Sequence, residues 1–247
     1  PYVGSSAFAH KGGLHASAVA KNPSTYEHIV PSEVGNKRIV PMSNQAGKSN
    51  LLMRLNEAGI MVQRGDKRLS EMLRQIKIRE DQGFSYDLAQ ASFELFAHRI
   101  MGTLPEYFKV KRYRVIMEQR KNKYNETVTL SEAVVALKIA KKKVLSVSES
   151  MDSDGSDQGP VNALAKAIGK DLGPYQKLVD DIRLVDYKVR ITSGGVGAVT
   201  RVLIDSEDST GLRWSTVGLS ANIIDASFQA LLDAILWKIH TSELETT

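Results

Sequence analysis

Three of the five histidines, His10, His15 and His28, fall in one glycine-rich stretch together with Tyr26. Imidazole and phenol groups titrate near 6.5 and 10, so these residue types suit proton transfer to or from a substrate. A metal reading fails on spacing, because no two histidines stand at the H-x-H or i, i+4 separation that presents two ring nitrogens to one ion. The acidic run Asp152, Asp154 and Asp157 has the alternation with which calcium loops begin. Counting Asp152 as the first position, however, puts Asp157 where glycine is needed and Ala163 where a bidentate glutamate is needed. Carboxylates ahead of a helix instead favour its partial positive charge, by about 0.3 to 1 kcal/mol each when exposed. Gly194-Gly195-Val196-Gly197 has the glycines of a phosphate loop, but a strand pattern follows it, and it reads as a hairpin turn. His98 sits in an apolar helix pattern and reads as a packed, hydrogen-bonded side chain. His240 reads as a favourable charge at a helix end.

Composition narrows the classes of chemistry further. The chain has 247 residues, 42% hydrophobic and 25% charged, the balance of a globular chain of one large or two smaller domains. It contains no cysteine, so thiolate metal sites, disulfides and cysteine nucleophiles are excluded, and a reducing cytoplasm is permitted. No apolar run approaches the roughly 20 residues that cross a bilayer, so no membrane partner is expected. The net charge of +5 comes mainly from Lys109 to Lys123 and Lys138 to Lys143. Neither stretch carries a nucleic-acid signature, and both read as solvated strand ends and a hairpin rather than a phosphate track. The first residues, Pro1-Tyr2-Val3-Gly4, lack a methionine or a signal-peptide pattern, and the chain is expected to be a piece of a longer polypeptide.

The elements that must position these residues follow from periodicity. The first forty residues are extended and turn-rich, with a short helix expected at Leu14 to Ala20. Leu51, Leu52 and Leu55 recur at helical spacing within Asn44 to Ala58, and Gly59 supplies a stop. Leu69, Met72, Leu73 and Ile76 stripe a second helix that ends near Gly83, and Leu88 to Ile100 carries apolar residues around most of a third, Asp87 to Met101. After Pro105 the period changes from 3.6 to 2, which predicts a domain boundary: mostly helical linker subdomains over 1–105 and a different domain over 106–247.

That second domain reads as two βββα units, 106–175 and 176–247, so the fold class is α+β. Tyr113, Val115 and Met117 alternate in one strand, Ala133 to Ile139 in a second, and Val144 to Ser150 forms a third. Pro160 then opens a helix striped by Val161, Leu164, Ala165 and Ile168. The order repeats as Ile182 to Thr192, Ala198 to Asp205, Leu212 to Gly218 and a helix from Asn222 to His240. Val161-Asn162-Ala163 matches Ile224-Asp225-Ala226 at an offset of 63, and Tyr113-Arg114-Val115 matches Tyr187-Lys188-Val189 at 74. Each unit buries one sheet face only, so the units are expected to pack sheet on helix or sheet on sheet, and a homodimer is the expected form.

At this level of detail the motifs become familiar. The run from Pro1 through Phe8-Ala9-His10-Lys11-Gly12-Gly13-Leu14-His15, followed by Thr25-Tyr26-Glu27-His28-Ile29 and Val34-Gly35-Asn36, resembles the segment after the catalytic barrel in the isopropylmalate, homocitrate and citramalate synthase family. Gly47-Lys48-Ser49-Asn50 resembles that family's next signature. Trp214-Ser215-Thr216-Val217-Gly218-Leu219-Ser220 with Asn222-Ile223-Ile224-Asp225-Ala226-Ser227 is similar to its C-terminal regulatory motif. The first two motifs are closest in wording to the citramalate synthase branch.

The resemblance implies a parent acyltransferase that condenses acetyl-CoA with a 2-oxo acid, pyruvate in the citramalate case. Its divalent metal is held in a TIM barrel that this chain does not include. It implies no condensation by this chain alone and no cofactor within it. It also implies acid/base work by His15, with Tyr26 as companion and Asn22 as a further candidate. The βββα pair then implies a feedback domain binding isoleucine, or leucine in an isopropylmalate synthase. Asp157, Gly159, Val161 and Asn162 at one helix start, and Ser220, Asn222 and Ile223 at the other, are its candidate effector contacts. Such a site needs a dry pocket for the side chain and donors for the carboxylate.

Overall fold

The computed structural model describes residues 1–4, 7–10, 15, 18–19, 21–38, 47–63, 65–140, 142–152, 159–192 and 198–245. The chain forms two compact units, Pro1–Thr103 and Leu104–Thr247.

The first unit is built on helices α1 (Lys48–Glu57), α2 (Lys67–Gln82) and α3 (Gln90–Met101). Asp66 starts α2 by accepting from the Arg68 amide at 2.8 Å, which satisfies one of the amides a helix start leaves over. Gly83, at φ 114°, ends that helix in the left-handed conformation glycine adopts without strain. Leu51, Leu55, Leu69, Met72, Ile76, Phe93 and Phe96 meet in one core. The third helix starts at Gln90 rather than Asp87, because the Ser85 hydroxyl donates to the Asp87 carboxylate at 2.7 Å and closes a turn. Leu88, expected in the apolar surface, is exposed on that turn, while Tyr86 is buried against Phe96 and accepts a hydrogen bond from Arg79 at 3.0 Å. Asn44 to Ala46 and most of the short helix expected at Leu14 to Ala20 lie outside the described residues. His15, Ala18 and Val19 are helical. His98 is half-buried near the end of α3, where its Nδ1 meets the Thr103 hydroxyl at 2.8 Å.

The second unit contains two antiparallel three-stranded sheets, ordered β1-β2-β3 and β4-β5-β6. Their strands are β1 (Lys109–Lys121), β2 (Thr127–Ile139), β3 (Lys142–Asp152), β4 (Arg183–Ile191), β5 (Thr200–Glu207) and β6 (Arg213–Ser220). The helices are α4 (Pro160–Gly169), the single turn α5 (Gln176–Val179) and α6 (Ile223–Glu245). The architecture is the expected pair of βββα repeats. Helix α4 covers one face of the first sheet, α6 covers one face of the second, and the two helices pack on each other as well. The sheet-on-helix expectation is thus supplemented by helix-on-helix contact, and a single core joins Val135, Leu137, Leu164, Ile168, Ile204, Leu231 and Ile235.

Two details correct the linear reading. Met117 is 59% exposed although Ser131 and Ser150 in the same row are buried, because β1 is an edge strand and α4 packs mainly on β2 and β3. His240 lies inside α6 and is 4% exposed, so its surroundings favour the neutral ring and hold its pKa below the usual histidine range through loss of hydration. Its Nδ1 is 2.7 Å from the Tyr107 hydroxyl, itself pushed up to about 12, chiefly by burial. The Gly194 to Gly197 turn lies outside the described residues, though its flanks pair, Thr192 N donating to Val199 O at 2.8 Å.

Strand β6 and helix α6 pack closely. Trp214 Nε1 donates to the Ala234 carbonyl at 3.2 Å and Thr216 Oγ1 to the Ala230 carbonyl at 2.9 Å. Gly218 continues the row: a β-carbon there would stand 1.9 Å from the Ala226 carbonyl oxygen. Gly218→Ala is therefore expected to destabilise the unit by about 3 kcal/mol, at the upper end of overpacking costs because backbone must move. Equilibrium denaturation of the variant beside Ser215→Ala, which lies on the other face of the strand, measures it.

Candidate functional site

The N-terminal histidine segment folds around a buried carboxylate. Asn22 opens a 3-10 helix, Pro23–Thr25, its Oδ1 accepting from the Ser24 amide at 3.2 Å and the Ser24 hydroxyl at 2.8 Å. A second 3-10 helix, Pro31–Val34, ends at Gly35 with φ 69°. Asn36 then ties the start of the chain down by donating to the carbonyls of Tyr2 (3.1 Å) and Gly4 (2.9 Å).

Between these turns Glu27 points inward, its side chain only 3% exposed. Arg38 grips it with two bonds, Nε to Oε1 at 2.7 Å and a terminal nitrogen to Oε2 at 2.6 Å. His10 Nε2 lies 2.9 Å from Oε1. The Arg38 guanidinium holds the Glu27 carboxyl below the usual range against the opposing effect of burial, so it is ionised and can only accept. His10 Nε2 is therefore the donor, which fixes the orientation of its ring.

The ring of Tyr26 lies beside His10 and His15. Its centroid is 4.4 Å from that of His15, tilted by 33°, and 6.4 Å from that of His10, which meets it edge-on. Tyr26 and His15 are exposed, so both can reach a molecule outside the unit. Of the expected catalytic residues, His15 and Tyr26 are thus brought together, while the Asn22 side chain serves as a helix cap. Glu27 and Arg38 were absent from the expected set. They lie eleven residues apart through irregular chain, where no periodicity pairs them. Among the described residues no three of His, Asp and Glu are arranged to hold a metal ion.

The candidate effector residues separate into two places. Gly159, Val161 and Asn162 line an open groove between the start of α4, strand β4 and α6, with Leu184, Tyr187 and Leu231 on its other walls. Asp157 lies outside the described residues. Ser220, Asn222 and Ile223 are elsewhere, at the start of α6. There Asn222 Oδ1 accepts from the Ile224 amide at 2.8 Å and Ser220 Oγ from the Asn222 amide at 3.1 Å. Just beyond, Asp225 accepts from the Tyr113 hydroxyl at 2.9 Å, and the Tyr113 ring stacks on Phe228 at 4.1 Å. Strand β1 of the first repeat is thereby clamped to the helix of the second. The contribution of β4 to the groove was not expected, because strand periodicity gives which residues share a face but not which helix end that face meets.

Residues 87–237 match the family model of the LeuA allosteric (dimerisation) domain, and residues 2–83 match that of the homocitrate synthase post-HMGL domain-like family. The chain is 43% identical over 244 residues to an (R)-citramalate synthase of Geobacter sulfurreducens, covering 98% of this chain and 44% of that protein. A relative of the same name from Aquifex aeolicus is 43% identical over 247 residues, 99% of this chain and 45% of its own length. A 2-isopropylmalate synthase of Methanocaldococcus jannaschii is 30% identical over 235 residues, 94% of this chain and 41% of its own. The chain thus spans a little under half the length of these curated relatives.

The Glu27 cluster has a directional pH signature. A carboxyl whose folded pKa is lowered contributes stability that is present above its ordinary value of 4.5 and lost as pH falls through the folded one. The stability difference between the chain and Glu27→Gln should therefore shrink as pH is lowered from about 5 to about 3 in parallel denaturation curves. Arg38→Met, which strands the buried carboxylate, should cost about 3 kcal/mol at neutral pH and less in acid.

Proposed function

The chain belongs to the family of LeuA allosteric (dimerisation) domains, and from that premise we propose that it is the linker and regulatory half of an (R)-citramalate synthase. The whole enzyme would join acetyl-CoA to pyruvate in the cytoplasm as a homodimer, answering to isoleucine as feedback effector. The observation that carries this reading is similarity along nearly the whole chain to proteins named (R)-citramalate synthase. A barrel supplies the divalent metal that polarises the 2-oxo acid, so this chain alone is inactive. Its own contribution to the chemistry is the exposed His15 and Tyr26 pair. His15 moves a proton, and Tyr26, edge-on to a His10 ring that Glu27 orients, holds the His15 ring in place.

The groove at the start of α4 is the effector site in this reading. It offers apolar walls from Val161 and Leu184 for a branched side chain and the partial positive charge of the start of α4 for a carboxylate. The 30% identity to a 2-isopropylmalate synthase favours leucine as the alternative ligand.

Calorimetric titration separates these readings. Saturable binding of isoleucine, weakened at least about tenfold in Val161→Asp, is the expected result. Preference for leucine moves the parent to the isopropylmalate branch, and binding of neither removes the groove as an effector site. In the enzyme with its barrel, His15→Ala should lower kcat by about a hundredfold and Tyr26→Phe by less, with KM for acetyl-CoA little changed.

A further inference from the structure

Strand pairing in the first sheet assembles a charge cluster that no single stretch of sequence shows. Lys109 stands opposite Lys138, and Lys138 opposite Lys143, so one row across β1, β2 and β3 consists of three exposed lysines on the face turned away from α4. Neighbouring strands are about 4.8 Å apart, well inside the Debye length of about 8 Å in physiological salt, so these ammonium groups repel one another. Like charges directly opposite each other destabilise a sheet. Lysine on an edge strand guards against stray pairing, which accounts for Lys109 and Lys143 but not for Lys138 on the central strand. Among the described residues none of the three has a carboxylate partner, Asp171 being paired with Lys142 at 3.9 Å. The carboxylates of the same face begin with Glu132, about 20 Å along β2 from Lys138, and Glu132 lies 3.6 Å from Arg114. Beside the lysines the face is concave. Arg112, Ala136 and Leu145 form the adjoining row, with Arg114, Val134 and Val147 beyond it. Arg112, Arg114, Val134, Leu145 and Val147 line a hollow of about 340 Å³, and Leu145 and Val147 are 61% and 39% exposed.

We propose that this face binds a nucleoside polyphosphate, with the phosphate chain along the lysine row and the base in the adjoining hollow. The argument is charge complementarity joined to shape. A triphosphate carries several negative charges on one short chain and meets all three lysines at once, which a lone carboxylate cannot do. Its binding removes the repulsion that the empty row maintains, so the arrangement that costs the free sheet stability becomes favourable when the anion is present. Arg112 stands in the row between lysines and hollow, and its planar guanidinium suits a phosphate on one side or the face of a base on the other. Val134, Leu145 and Val147 supply apolar walls that a phosphate chain alone leaves wet and a heterocyclic base covers. A nucleic-acid strand is a poorer fit, because the row ends within two strand spacings, about 10 Å, and carboxylates follow beyond the hollow. The site lies on the opposite side of the sheet from α4, so it is separate from the groove at the start of that helix and does not depend on the effector reading.

Calorimetric titration of the whole chain with magnesium-free ATP, inorganic triphosphate, adenosine and a single-stranded RNA oligonucleotide tests the assignment. ATP should bind saturably at one site per chain, triphosphate at least about tenfold more weakly, and adenosine more weakly still. Lys138→Gln with Lys143→Gln should weaken ATP and triphosphate alike by at least about tenfold, whereas Leu145→Ser should weaken ATP and leave triphosphate unchanged. Stability gives an independent readout. Lys138→Gln relieves the empty row, so it should raise the denaturation midpoint of the ligand-free chain at low salt and lose that advantage once ATP is added, which also shows that the variant folds. Absence of saturable ATP binding, or binding undiminished in the double lysine variant, overturns the site. Triphosphate bound as tightly as ATP removes the base from the hollow and overturns the nucleotide, and RNA bound more tightly than ATP overturns it in favour of a nucleic-acid partner.

Discussion

Strand β6 can lie on helix α6 only because of what its inward residues are. Two residues of a strand advance about 6.7 Å and four residues of a helix about 6 Å, so a strand running against a helix meets one carbonyl per turn at every second side chain. Trp214, Thr216 and Gly218 meet the carbonyls of Ala234, Ala230 and Ala226 in that order. Two donate hydrogen bonds and the third simply stays out of the way. The alanines on the helix are the other half of the fit, since larger side chains there would lift the strand. This close seam sets the height of the second sheet over α6. The start of that helix, where Asn222 caps and Asp225 receives Tyr113, takes its position from the same seam.

The first repeat does not copy this seam. Its α4 is less than half the length of α6, and its third strand turns Val144 and Ser146 inward. The start of α4, where Gly159 supplies no side-chain cap, borders the groove lined by Gly159, Val161 and Asn162. Divergence between the two repeats, rather than their likeness, therefore accounts for one helix start being open and the other closed by its own caps.

The parts of this architecture with a sustained period were legible in the sequence. The helical stripes of α2 and α6, the alternation in β2 and the two βββα units all follow from apolar residues that must share a face. Elements decided by single polar contacts were not. The Ser85 turn displaced the start of α3, burial made His240 neutral where a helix-end charge was expected, and Met117 alternates correctly but has nothing over it. The histidine segment shows the same division. That His15 and Tyr26 adjoin was legible from their motif, whereas the nearby ion pair joins Glu27 to Arg38 across irregular chain whose path no pattern announces.

The hydrogen bond between Tyr107 and His240 joins residues near the two ends of the second unit. Where the chain enters this unit it is fastened at once to the last turns of α6, not to the sheet it is about to build. Mechanically this is a short circuit. Leu104, where the chain enters, lies three residues before that tyrosine, so the entry is anchored on α6 before β1 begins. At the other end of this 23-residue helix Asp225 is bonded to Tyr113, so both ends of α6 are fastened to the opening stretch of the unit.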